Sequence, residues 1–328
     1  MTGSSDPIVV GVVNNMGDSS VEATERQFRD LLSAASPEAD VRLRFFRLPD
    51  LPRGETAGAY VRSRYEDVHA LWSDPPDGLI VTGTEPRARA LADEPYWDTL
   101  TRLVDWAADH TTSAIWSCLA AHAAVDHLDG VERHRFESKI SGVFDVAKSG
   151  SHEIVAGLPD RWPMPHSRFN TVAESSLLAA GYEVLAASAS VGPDLFVRRG
   201  ASLFVFLQGH PEYDAGALGR EYWRDVRRFL MSRSDRYPDV PRNYFSAGAA
   251  AALAAFRCRA ERERTVALLA HYPIAVPDAP AAIGGDAPPR HWRDAAERLY
   301  ANWLGYLATH RPGRMGRQPP GQSPAMAS

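Results

Sequence analysis

Three residues in this sequence have the types and spacing for nucleophilic catalysis. Cys118 follows the apolar run "TSAIWS" (112–117) and precedes "LAAHAAVDHL", an alanine-rich helical pattern. His210 and Glu212 stand two apart in "FLQGHPEYDAG" (206–216), at the end of a second apolar run, "ASLFVFL". A thiol at a strand-to-helix junction sits on a tight turn, where the helix N-terminus favours the thiolate and backbone N–H groups can receive an oxyanion. The N–H groups of Leu119, beside the thiol, and of Gly83, at the end of another apolar run, are the candidates. A histidine within reach takes the thiol proton, and a carboxylate fixes its tautomer and supports the imidazolium. Taken singly, Cys118 reads as a buried inert cysteine and "HPE" as a capped turn. At the ends of two strands of one sheet they read as a Cys118–His210–Glu212 triad. The small neighbours Ser117, Ala120 and Ala121 suit a nucleophile elbow, although Trp116 stands where such elbows usually have glycine.

The elements that must position these residues are written in the apolar runs. "PIVVGVV" (7–13), "VRLRFFRL" (41–48), "DGLIVTG" (77–83) and "TSAIWS" predict strands. Between them lie helical patterns: "SVEATERQFRDLLSAA" (20–35), with Val21, Phe28, Leu31 and Leu32 on one face and Ser19 or Ser20 as N-cap, and "PYWDTLTRLVDWAADH" (95–110). Strands that alternate with helices and are apolar throughout predict an α/β fold, a mostly parallel sheet with helices on both faces. Ligands of such sheets bind beyond the carboxyl ends of the strands, here just after Val13, Val81, Ser117 and Leu207. The middle of the chain is more strand-like. "KISGVFDV", "HEIVAG", "YEVLAAS", "DLFVRR" and "SLFVFLQ" predict short strands, some of them antiparallel additions. "EYWRDVRRFL" (221–230) and "HWRDAAERLYANWLGYLATH" (291–310) predict two further helices. Residues 246–290 are Ala/Pro-rich with one helix, and 311–328 read as a disordered tail. The segment "MPHSRFN" (164–170) by itself reads as a surface loop.

Bulk properties exclude several function classes. The chain has 328 residues, 45% of them hydrophobic, enough for one large domain with an appendage. A net charge of −5 argues against nucleic acid or an anionic membrane as partner. Two cysteines make no disulfide framework, and "MTGSSDPIVV" lacks the basic and apolar regions of a signal peptide, so the expected location is the cytoplasm. No metal site is expected: His122 and His127 are five apart on one helix, without an HExxH or CxxC motif. "TGTEP" is not a phosphate-binding loop.

Read together, "GHPEYDAGALGREYWRDV", "PHSRFN", "SKISGVF", "DEPYWDTLTRLVDWAADHTTSAIWSCLAAHAAV" and "RYPDVPRNYF" resemble the homoserine O-acyltransferases of the homoserine O-succinyltransferase type, whose fold is similar to class I glutamine amidotransferases. The likeness is colinear from about residue 7 to 245 and resumes near "RLYANWLGYL". It implies a catalytic domain over 7–245 and a C-terminal insertion and closing helix over 246–310. It also implies methionine biosynthesis and a ping-pong reaction, in which a cysteine takes an acyl group from acyl-CoA and passes it to the hydroxyl of L-homoserine. Acyl-CoA would be a co-substrate, with no permanently bound cofactor. Cys118, His210 and Glu212 stand at the family's triad positions. Lys139, Ser167, Arg168 and Arg224 match substrate-binding or site positions, Arg224 being suited to a bidentate grip on an amino-acid carboxylate.

There are departures. The family's methionine-proline-lysine-lysine turn is here Met16-Gly17-Asp18-Ser19. At the position where the family selects succinyl with glycine and acetyl with glutamate, this chain has Arg87, which would attract a carboxylate. The family's N-terminal extension is missing and 246–290 is inserted, which leaves a homodimer open. The rival readings are a glutamine amidotransferase-like hydrolase, a specialised acyltransferase with another acceptor, and a non-catalytic binding protein.

Overall fold

The computed structural model describes residues 6–274 and 292–311. In chain order the elements are β1 (Ile8–Val13), α1 (Val21–Ala35), β2 (Val41–Arg47), α2 (Glu55–Arg64), β3 (Glu66–Asp67), β4 (Gly78–Val81), α3 (Trp97–His110), β5 (Ser113–Ser117) and α4 (Leu119–Asp129). They continue with β6 (Arg133–Lys148), β7 (Arg161–Val172), α5 (Glu174–Ala179), β8 (Glu183–Ser188), β9 (Gly192–Arg199), β10 (Leu203–Leu207), α6 (Ala217–Leu230), α7 (Ala247–Glu263) and α8 (Arg293–His310).

Among the described residues the strands form one ten-stranded sheet, ordered β3-β2-β1-β4-β5-β10-β9-β8-β6-β7. From β3 to β10 every pairing is parallel. β9, β8, β6 and β7 extend it by antiparallel pairs. The α/β fold with a mostly parallel sheet and antiparallel additions is therefore the one expected. Side chains alternate across it with period two. Val10, Val12, Ile80, Ile115 and Val205 face Phe28 and Leu31 of α1 and Trp303 of α8. Val13, Leu79, Val81, Trp116 and Phe206 face Leu103 of α3 and Ala120 and Ala124 of α4. The two-sided burial explains why these strands read as unbroken apolar runs.

Gly78 lets α8 lie directly on the sheet, since a Cβ there would sit 2.5 Å from Leu307 and 2.8 Å from Trp303. Trp303 fills that space, and its indole N–H donates to Ser113 Oγ at 2.9 Å. Emptying it should cost about 3–5 kcal/mol, as large buried aromatics do. α7 packs instead on α6, through Leu253, Phe256 and Ala260 against Tyr222, Val226 and Phe229. Residues 275–291 and 312–328 lie outside the described residues, so the expected tail and part of the 246–290 segment do too.

Two local expectations change, and one helix went unpredicted. "HEIVAG" is not a strand but a 3-10 turn over Glu153–Val155, with His152 accepting from the Ile154 N–H. Its carbonyls at Ile154 and Ala156 are taken by the Asn302 amide on α8, not by a strand neighbour. "MPHSRFN" lies within β7, paired with β6, and is not a loop. α2 has little apolar signal because it buries only Ala57, Gly58 and Val61. No helix among the described residues is long and apolar enough to cross a membrane.

Candidate active site

Cys118 is the residue between β5 and α4, and its backbone is held at φ 53°, ψ −113°. A non-glycine residue at positive φ is strained and persists only where its surroundings enforce it. Here the Cys118 N–H donates to Leu207 O at the end of β10, at 2.7 Å, so the elbow is tied to the neighbouring strand end. Gly83, two residues beyond β4, presses on the same turn. A Cβ at Gly83 would lie 2.7 Å from Leu119 N. The absence of a side chain thus brings the backbone at 83 against the first turn of α4, next to the cysteine.

β10 delivers the histidine. Its ring Nδ1 lies 2.8 Å from Glu212 Oε1, which leaves Nε2 for the hydrogen bond with the Cys118 thiol. Burial disfavours a charged His210. The Glu212 charge and the hydrogen bond to Cys118 outweigh it and raise the ring well above the ordinary histidine value. The loop that carries His210 is pinned from two strands. The His210 N–H donates to Pro165 O of β7 at 2.8 Å, and the Gly209 N–H donates to the Asp194 carboxylate of β9 at 3.0 Å. Asp194 is fully buried, and burial pushes its carboxyl up to about 6 despite Arg168 and the Gly209 N–H.

The ring of Tyr213 stacks on His210 with centroids 4.3 Å apart, and its hydroxyl donates to Glu221 Oε1 at 2.5 Å. Glu221, on the first turns of α6, is the hub of the site's charged side. Its other oxygen accepts from Ser167 Oγ and from Lys139 Nζ, the latter at 3.3 Å. Lys139 also reaches Asp225 at 2.8 Å, and the Arg224 Nε donates to Asp225 at 3.0 Å. Burial would raise the Glu221 carboxyl. Lys139, Arg224 and the Ser167 and Tyr213 hydroxyls hold it down at about 2. Burial also opposes the charges of Lys139 and Arg224, and the Glu221 and Asp225 carboxylates raise both. Glu221 was not among the residues expected from the sequence. The available signal was its position three residues before Arg224 on one helical face.

Of the expected substrate-binding residues, Lys139, Ser167 and Arg224 meet around Glu221, and Arg168 does not join them. Side chains alternate along β7, so Ser167 faces α6 while Arg168 faces the other way. The Arg168 guanidinium donates to the Asn170 and Val191 carbonyls, each at 2.5 Å, and burial lowers it to about 10. It clamps β7 to the turn before β9. Arg87 is exposed. Its guanidinium donates to Pro52 O at 3.3 Å, while its backbone N–H and that of Ala88 are held by Glu94 at 2.5 and 2.6 Å.

Two residues before Arg87, Glu85 makes a two-point contact with Arg228 of α6 at 3.0 and 2.9 Å. Neighbouring atoms crowd the Glu85 carboxyl and oppose its charge although most of the side chain is open to solvent, but Arg228 and then Arg224 lower it. In the turn after β1, Arg53 donates to Met16 O and Asn14 O at 2.8 and 2.9 Å, and the Gly54 N–H donates to Asp18. The chain thus braces this turn from beneath, with no lysine in it. Beside the elbow lies a small, shallow cleft, lined among others by Asn15, Thr82, Gly83, Thr84, Tyr96 and Leu119. Among the described residues no group of three or more His, Cys, Asp and Glu side chains could hold a metal ion.

Known proteins share this sequence and this frame. The family profile described as homoserine O-succinyltransferase matches residues 2–312. A homoserine O-succinyltransferase of Rhodopseudomonas palustris is 47% identical over 302 residues, 92% of this chain and 89% of that protein. One of Bradyrhizobium japonicum is 46% identical over 306 residues, 92% of this chain and 91% of that protein. Among solved structures, a glutamine amido transferase from Methylobacillus flagellatus superposes with a TM-score of 0.53 at 16% identity, covering 95% of this chain and 98% of its own, a likeness of fold alone.

Proposed function

Because the chain belongs to the homoserine O-succinyltransferase family, we propose that it moves an acyl group from acyl-CoA, through a thioester on Cys118, to the hydroxyl of L-homoserine. It is an enzyme of the homoserine O-acyltransferase kind. The observation that carries the mechanism is the contact of His210 with both Cys118 and Glu212 at two adjoining strand ends. The Cys118 sulfur attacks the thioester carbonyl, and the Leu119 and Gly83 amides stabilise the oxyanion. The C–S bond to CoA then breaks, and the His210 imidazolium protonates the leaving thiolate. In the second half, neutral His210 takes the proton of the acceptor hydroxyl, whose oxygen attacks the Cys118 thioester. The ester leaves and the proton returns to the Cys118 sulfur.

An α-amino acid carries both charges, and the α6 cluster offers both. Glu221 and Asp225 suit its ammonium and Arg224 its carboxylate, with Ser167 and Lys139 bordering the same space. The loop after Gly83, which carries Glu85 and Arg87, borders the acyl group where it meets α6. Residues 7–245 supply all these groups; beyond them α7 packs on α6 and α8 on the sheet. CoA enters and leaves as a co-substrate, with no resident cofactor. Nothing in the charge of −5 calls for nucleic acid.

The test is intact mass spectrometry of the protein mixed with acyl-CoA and no acceptor. An adduct of one acyl mass is expected, absent in Cys118→Ala. No adduct with any of several acyl-CoAs sinks the reading. The amidotransferase-like fold favours glutamine hydrolysis as the second reading, and glutaminase activity without acyl transfer would select it.

A further inference from the structure

Two sides of the Cys118 site can receive the acyl group of the donor. One is the cleft beside the elbow, whose lining residues are uncharged. The other follows the loop from Gly83 toward α6. Gly83 touches the Leu119 amide, and two residues on Glu85 spans to Arg228, bridging the wall that carries the oxyanion donors and the helix that carries Glu221 and Arg224. The cations at that helix face, Lys139 from β6 and two arginines of α6, are unequally committed. Lys139 is tied to both Glu221 and Asp225, and Arg224 is placed for the acceptor's carboxylate. Arg228 has Asp225 only at 3.8 Å, and its two-point partner is a loop carboxylate with 59% of its side chain exposed. An exposed pair of this kind is weak and exchanges readily. A guanidinium that receives one carboxylate through two parallel N–H bonds will receive another of the same shape.

We propose that Glu85 is a place-holder on Arg228, and that the free carboxylate of a dicarboxylic acyl group such as succinyl displaces it, so that Arg228 selects the donor. The inference rests on the acyl-thioester reading above. A monocarboxylic acyl group such as acetyl has nothing to offer Arg228 and leaves the Glu85 pair closed.

The experiment times acylation of Cys118 by succinyl-CoA and by acetyl-CoA, without acceptor, in wild type, Arg228→Gln, Arg228→Lys and Glu85→Gln. Arg228→Gln should slow succinylation about ten- to a hundredfold, the range of a charge-assisted contact, and leave acetylation within about twofold. Arg228→Lys should recover part of the succinyl rate, because it restores the charge without the fork. Glu85→Gln should speed succinylation severalfold, about the scale of removing one weak competitor, and leave acetylation as it was. Equal slowing of both donors by Arg228→Gln, slowing of neither, or a wild type that takes acetyl but not succinyl overturns the proposal. In these cases the thioester still forms and the reading of Cys118 stands. If no thioester forms with either donor, that reading falls and this inference falls with it.

Discussion

Around Cys118 the parts are set by backbone. The elbow hangs on the Leu207 carbonyl, the His210 loop hangs on Pro165 and Asp194, and Gly83 is wedged against Leu119. Around Glu221 they are set by charge. One carboxylate gathers a lysine, a serine and a tyrosine from three different segments, with Arg224 and Asp225 beside it. Positions fixed by strand ends leave Cys118 and His210 little freedom to drift, which suits the bond-making proposed for them. Positions fixed by ion pairs can exchange partners when a charged substrate arrives. Tyr213 joins the two, with its ring on His210 and its hydroxyl on Glu221.

The comparison breaks first if the two regions fail to separate by half-reaction. His210→Ala should lower acylation of Cys118 by at least about 10³-fold, the scale of triad knockouts, with or without acceptor. Glu221→Gln should leave the thioester forming and slow its transfer to homoserine about ten- to a hundredfold, mainly through KM, as expected for losing one charged hydrogen bond. Single-turnover mass spectrometry reads both steps. A Glu221→Gln protein that cannot be acylated would mean that the hub holds the triad together rather than the acceptor.

Stability should split along the same line with pH. Glu221 falls from an ordinary 4.5 to about 2 on folding, so its contribution is present above 4.5 and is lost as pH drops from there toward 2. His210 is shifted the other way. Its folded value lies well above the ordinary 6.5, so its contribution is complete below 6.5 and fades as pH rises through the folded value. The groups facing it are Cys118, Glu212, Asp194 and His166, and Tyr213 lies against its ring. Thermal melts should therefore show the Tm gap between wild type and Glu221→Gln closing in acid. The gap for His210→Gln should close in base. Gaps that stay constant over both ranges would dissociate stability from these two groups.

The same contrast decides what the sequence discloses. Short runs such as "TSAIWS" and "ASLFVFL" announce buried strands, and the residue after a buried parallel strand is where chemistry sits, so Cys118 and His210 are legible from period and position. Glu221 is not, because its partners Lys139 and Ser167 are 82 and 54 residues away and meet it only when β6 and β7 pair beside α6. Nor is the split between Ser167 and Arg168. "MPHSRFN" shows no plain alternation of apolar and polar residues, and without the strand assignment nothing tells that neighbours point to opposite faces. α2 fails for a simpler reason, since a helix burying three small residues leaves no amphipathic trace.

The smallest effect is expected at Arg87. It shares a loop with Glu85, yet its guanidinium turns to the Pro52 carbonyl at 3.3 Å, and the side chain is exposed. What fixes the loop at this point is the backbone. Glu94 accepts the N–H of Arg87 and of Ala88, and any residue other than proline at 87 keeps the first of these bonds. Arg87→Gly should therefore change the ratio of kcat/KM for succinyl-CoA over acetyl-CoA by no more than about twofold, within the range of exposed substitutions. Glu94→Ala, which frees both amides, should disturb both donors more. A tenfold fall in the ratio for Arg87→Gly would mean that the guanidinium leaves Pro52 and swings to the acyl group during turnover. Donor choice would then belong to the loop and not to α6.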